Sequence, residues 1–244
     1  MPIPVDQVQQ FAVQFACRTP IRKDISAAEK KALENTLRDS NPELFQLFSD
    51  ETARNSPYLF QAARQHVVGA VTVTVPSLSL ANDSVTLLAP VRLGGTFLPG
   101  RGETLDTGVL NRSMVDILFK VQDTIRGLRF NRAGKIFDFL LGPYEQDDKS
   151  RIFEKLLSAN MTLSEIGDLD LAFARYTDID GGTYNIRSVI KYQQMSLADR
   201  FQFGVRVDIN NRRLSERLDP RDIERVWALA DRQIWDHLES ILVY

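Results

Sequence analysis

The sequence predicts an α+β fold of two pseudo-repeated halves, each an antiparallel sheet with packed helices. Three observations predict it. Runs of strand-period alternation occur in both halves, and the cleanest is Phe201, Phe203, Val205, Val207, Ile209. Each half closes on a long amphipathic helix, with apolar residues stepping by three and four. The order strand, helix, antiparallel strands, helix is the same in residues 1–126 and 127–244, with no Pro/Ser-rich linker between them. The halves are therefore read as an N-terminal and a C-terminal α+β half, fused and able to form one domain.

In the first half, Phe11, Val13 and Phe15 alternate with Gln10, Ala12 and Gln14, a strand that breaks at Arg18-Thr19-Pro20. Ser26-Ala-Ala-Glu29 is a capping box, in which two side chains satisfy free amides at a helix start. Leu33 and Leu37 give that helix one apolar face, and Asn41-Pro42 ends it and opens a short second helix carrying Leu44, Leu47 and Phe48. Val67–Val75 reads as one strand whose alternation resumes at Leu78 and Leu80. Asn82-Asp83 supplies a turn, and Val85 to Leu93 return as the second arm of a hairpin. Gly94–Gly108 reads as a loop, followed by a helix with Leu110, Met114, Ile117, Val121 and Ile125 on one stripe, stopping at Gly127.

In the second half, Leu128–Phe130 and Ile136–Leu141 read as a strand interrupted at Asn131–Gly134 and ended by Gly142-Pro143. Asp147 or Asp148 caps a helix holding Ile152, Phe153, Leu156 and Leu157. Three strands follow: Leu169–Phe173, Tyr184–Tyr192 after the turn Asp178–Gly182, and Phe201–Ile209. Asp219 and Pro220 start the last helix, because proline at the first position removes a donor that has no partner there.

Two segments resemble a known family. Gly127-Leu-Arg-Phe-Asn-Arg132 after a long helix, and Phe203-Gly-Val-Arg-Val-Asp-Ile209 before an acidic turn and a closing helix, are similar to a sporadically distributed, largely uncharacterised family of bacterial proteins of about this length. The family's midpoint strand typically reads Leu-Arg-Tyr-Ile-Asn. Phe130 stands in place of the tyrosine, and one residue is missing before Asn131. The resemblance implies a duplicated α+β fold and little chemistry.

Composition excludes several classes. Net charge is −2, with 43% hydrophobic and 25% charged residues, so nothing draws the whole chain to nucleic acid or an acidic membrane. The one cysteine, Cys17, cannot form an internal disulfide, which suits a reducing compartment. No signal peptide opens the sequence and no apolar run reaches the ~20 residues of a membrane span, so a cytoplasmic protein is expected.

Candidate chemistry is sparse. His66 and His237, the only histidines, have no local nucleophile and read as surface or packing residues. One cysteine and two distant histidines do not make a zinc site. Asp168, Asp170, Asp178, Asp180 and Asp208 are the carboxylates that magnesium would need. Turn chemistry accounts for Asp178 and Asp180 without it. Gly95–Gly102 has the glycine spacing of a phosphate loop, but Arg101-Gly102 stands where Lys-Ser/Thr is required. No catalytic residue, metal ligand or cofactor is expected.

Strand parity gives one candidate surface. If Phe203, Val205 and Val207 face the helices, Arg206 faces outward; Arg187 and Lys191 have the outward parity on the neighbouring strand, and Arg129 can join them. The same face also reads simply as the wet side of a one-sided sheet. Arg129, Arg187, Lys191 and Arg206 are thus the expected partner-binding residues. The leading expectation is a non-enzymatic binding or assembly protein with a protein partner, a subunit of a multi-protein bacterial system. The alternatives are a metal-dependent phosphoesterase using sheet carboxylates and a nucleic-acid-binding protein.

Overall fold

The computed structural model describes residues 8–21, 24–48, 58–68, 71–88, 92–93, 108–145, 169–194, 200–212 and 217–242. Its strands are β1 (Val8–Arg18), β2 (Leu47–Phe48), β3 (Tyr58–Val68), β4 (Val71–Ala81), β5 (Ser84–Leu88), β6 (Arg92–Leu93), β7 (Arg132–Glu145), β8 (Leu169–Ile179), β9 (Gly182–Gln194) and β10 (Arg200–Asn211). The described helices are α1 (Ala27–Ser40), α2 (Gly108–Thr124) and α3 (Pro220–Leu242).

All ten strands belong to one antiparallel sheet, in the order β2-β3-β4-β5-β1-β7-β10-β9-β8, with β6 also on β1. The expectation of two pseudo-repeated halves, each with its own sheet, is corrected by this topology. β1 and β7 pair side by side from Val8↔Leu141 to Arg18↔Arg132, so one sheet runs unbroken through both halves. The physical reason is lateral. A strand carries hydrogen-bonding groups along both edges, and closing a sheet at β1 or β7 would leave a long row of them without partners. Hydrophobic alternation specifies which face a strand buries, but not which strand lies beside it.

Smaller expectations also change. Val67–Val75 is not one strand: β3 ends at Val68, β4 starts at Val71, and those two residues are register partners across a reversal. Leu47 and Phe48 form β2 rather than a helix; Asn41 O instead accepts the amides of Leu44 and Phe45, and Phe45 is buried. Leu128–Phe130 lies outside the strand, whereas Asn131-Arg-Ala-Gly134 leads into it, and β7 continues through Gly142-Pro143 to Glu145 with a register shift against β10. The expected helix near residues 147–157 and the loop at 94–107 lie outside the described residues.

Local signals held elsewhere. The Ser26 amide donates to Glu29 Oε2 at 2.9 Å and the Glu29 amide to Ser26 Oγ at 3.2 Å, completing the box. The Asp222 amide donates to Asp219 Oδ1 at 2.9 Å just inside α3. Asp180 and Gly181 turn β8 into β9 with φ of 50° and 78°, the left-handed pair that matches the twist of a two-residue hairpin.

α1 packs on α2, α2 on α3, and α3 on β7 and β10, all over one face of the sheet. Odd-numbered side chains of β1, β7 and β10, such as Phe15, Phe137, Phe139, Val205 and Val207, fill the core between. Trp227 of α3 is fully buried, edge-on to Phe15 at 4.7 Å, and its Nε1 donates to Gly134 O at 2.9 Å. The indole thus contributes apolar area without leaving its N–H unpaired.

Candidate functional site

The even-numbered face of β1, β7 and β10, with the odd-numbered residues of β9 from Asn185 and the even-numbered ones of β8, carries no described helix. Its described side chains are exposed or half-buried, apart from Asn210 and the glycine at 134. Arg187, Lys191 and Arg206 all lie on it and are exposed, as their parity predicts. Arg206 has Val189 as its register partner on β9, between Arg187 and Lys191 in sequence. Arg129 is exposed but sits in the segment before β7, between the buried Leu128 and Phe130, and not in a strand.

The four cations are not equivalent. Arg206 forms a forked ion pair with Asp138, Nε to Oδ1 at 2.6 Å and a terminal nitrogen to Oδ2 at 3.0 Å. Gln14 Nε2 donates to the same carboxylate at 3.2 Å. Hydrogen bonding to Asp138 holds the Arg206 guanidinium even more firmly protonated than usual. Lys191 lies 3.1 Å from Asp170, with both side chains well exposed, a pair worth ~0–1 kcal/mol. Arg187 has Asp208 as its register partner on β10.

Asp208 is the centre of a second group that sequence reasoning missed. Burial raises its pKa, and the opposing influences are a hydrogen bond from Asn210 Nδ2 at 2.9 Å and the charges of Arg132, Arg187 and Arg18. Arg18 and Arg132 are register partners on β1 and β7. Burial lowers the Arg132 pKa and the like charge of Arg18 lowers it further, while Asp208 and Tyr176 oppose. Arg132 Nε donates to Asn211 O at 2.8 Å. The outward parity of Arg18 was readable from β1, but its neighbour on β7 was not.

The remaining chemical candidates are accounted for. Asp178 accepts from Thr183 Oγ1 at 2.6 Å, and Asp180 accepts from Arg232 at 3.0 Å, both serving the β8–β9 turn. Asp168 and the loop at Gly95–Gly102 lie outside the described residues. Among the described residues no three His, Cys, Asp or Glu side chains gather to hold a metal ion.

Ser188 Oγ and His237 Nε2 meet at 2.6 Å, the spacing of a nucleophile and its base. Their side chains are 0% and 1% exposed, however, so no substrate reaches that hydroxyl. Burial, helped by Arg175, pushes the His237 pKa down to about 4, which makes it a neutral core imidazole. Burial pushes the Cys17 thiol well above its usual range, the opposite of an activated nucleophile.

No family model, no curated protein and no solved structure matches the chain. Among the described residues no helix is long and apolar enough to cross a membrane.

Proposed function

We propose that this chain is a non-enzymatic binding or assembly protein that docks a protein partner on the uncovered face of its sheet. One observation carries the reading. The face holds exposed cationic side chains on β9 and β10, among them Arg187 and Lys191, while the nucleophilic and basic groups Cys17, Ser188 and His237 are sealed in the core. A surface of that kind recognises rather than reacts. The resemblance of residues 127–132 and 203–209 to a family of bacterial proteins supports a role as one subunit of a multi-protein bacterial system. A single buried cysteine supports the cytoplasm as its location.

The test is co-purification with the tagged full chain from its native cells, with Arg187→Gln and Lys191→Gln combined. Arg206 is left intact, because its forked pair with Asp138 ties β10 to β7. Loss of the co-purifying protein with an unchanged melting temperature is the expected result. Retention of the same protein at the same stoichiometry would refute the face as its docking surface.

A further inference from the structure

At one end of the uncovered face the strand register builds a shallow trough. Ala16, Gly134, Asn210, Asn185 and Tyr176 are successive register partners across β1, β7, β10, β9 and β8. Alanine and glycine make the first part of this row a floor without bulk. A Cβ at Gly134 would meet Asn210 Cβ at 2.6 Å, so the floor cannot be filled there without moving β10. Five strands at ~4.8 Å separation give a row of ~19 Å, the span of about six extended residues.

One wall is cationic, and the other pairs a cation with a carboxylate. On the strand-end side, Arg18 and Arg132 are partners, and Arg212, whose amide donates to Thr183 O at 2.8 Å, continues the line. On the other side stand Arg187 and Asp208. Four guanidinium groups therefore border the row, against Asp208 and, at its far end, Asp178, which Thr183 already engages. Two like charges directly opposite in adjacent strands destabilise a sheet, so the Arg18–Arg132 pair gains from an anion placed between the walls. Asn210 is 8% exposed, its Nδ2 bound to Asp208, and its Oδ1 has no partner among the described residues. At the β8 end Tyr176 is 61% exposed, with the Arg212 guanidinium 4.2 Å over its ring.

We infer that this trough, bordered by Arg18, Arg132, Arg187 and Arg212, binds a short extended acidic segment of a partner protein. Charge complementarity selects an anionic occupant. The open floor suits an extended chain rather than an enclosed small molecule. The excess of cations also ends with the trough. Further along the face Arg206 is matched by Asp138 and Lys191 by Asp170, so the continuous phosphate run of a nucleic acid would meet carboxylates. The inference rests on the docking face proposed above and names the chemistry of what it takes.

The test is fluorescence anisotropy of a fluorescein-labelled hexaglutamate peptide with the full chain at ~50 mM salt, where surface charges are only partly screened. Saturable binding is expected, weakened roughly tenfold or more by Arg18→Glu with Arg187→Glu. Arg18→Gln with Arg187→Gln, which removes charge without reversing it, should weaken it less but in the same direction. Arg112→Glu, exposed on α2, is the control and should leave it unchanged. Absence of saturable binding, equal weakening by the α2 control, or tighter binding of a labelled oligothymidylate of the same length would each overturn the inference. If the peptide fails but co-purification is lost on Arg187→Gln with Lys191→Gln, the docking face stands without the acidic segment. If the peptide binds as expected while co-purification is untouched, the trough stands and the wider face does not.

Discussion

Replacing Asp231 by asparagine tests the electrostatics of the core directly. Lys135 points from β7 into the helical layer with no exposed surface, and its Nζ donates to Asp231 Oδ1 at 2.5 Å and to Asn111 Oδ1 at 2.8 Å. Asn111 Nδ2 donates to Asp231 Oδ2 at 3.0 Å, which ties α2, α3 and β7 into one polar cluster. The Lys135 ammonium also lies 4.6 Å from the Phe15 ring centroid. Burial pushes the Lys135 pKa down from 10.5 to about 8, with Asp231 opposing. At about 1.36 kcal/mol per unit, the charged form is disfavoured by about 3 kcal/mol even with its carboxylate in place.

Without that carboxylate the lysine loses its attraction and folds neutral, as buried lysines do when their pKa falls to ~5–6. The sign follows from proton counts. In the native protein the folded and unfolded lysine are both charged below pH 8, so this group adds no slope there. In the variant the unfolded chain holds a proton that the folded chain lacks, so stability falls as pH falls. The gap between the two proteins should therefore be small at pH 9 and widen by about 1.4 kcal/mol per unit below pH 8, reaching about 3 kcal/mol at pH 6. Urea melts of both proteins at pH 9, 8, 7 and 6 read this gap, and groups that titrate alike in both, His237 and Cys17 included, cancel. A gap that stays constant between pH 9 and 6 would refute the account of Lys135 as a charge held in the core by Asp231.

Three further outcomes are expected. His237, with its folded pKa lowered to about 4 from 6.5, contributes stability that is complete above pH 6.5 and is lost as pH falls through 4, about 3 kcal/mol in all; a His237→Gln variant should lack that limb in the same melts. Gly134→Ala should destabilise by ~1–3 kcal/mol, because its new Cβ meets Asn210 Cβ at 2.6 Å and Ile209 O at 3.1 Å, and a melt within ~0.5 kcal/mol of the native protein would contradict this. Cys17, buried and with its thiol pKa raised, should resist a thiol-specific reagent at pH 8 in the native protein and react on addition of denaturant.

Much of the local structure was legible because each signal is chemical and short-range. Ser26 with Glu29, Asp219 with Pro220, and Asp180-Gly181 specify two helix starts and one hairpin, from groups a few residues apart. The outward placement of Arg187, Lys191 and Arg206 followed from parity alone. Val67–Val75 was misread because a run of valine and threonine alternates equally well on both sides of a reversal; Gly69 was the one punctuation mark in it. The candidate surface was legible only in part. Parity cannot show that Asp138 on β7 engages Arg206 on β10, since the two are 68 residues apart. Nor can it show that Arg18 and Arg132 are neighbours, since that depends on β1 choosing β7.

By itself the sequence determined which side of each recognised strand is apolar, where the main helices begin and stop, and that few reactive side chains exist. These follow from side-chain period and from capping groups within reach of their own backbone. Tertiary structure alone decided that both halves share one sheet, that Lys135 and His237 are enclosed, and that four arginines from distant strands line one row. Lateral pairing satisfies the backbone edges of whichever strands meet, and it is this long-range choice that assembles the cationic trough.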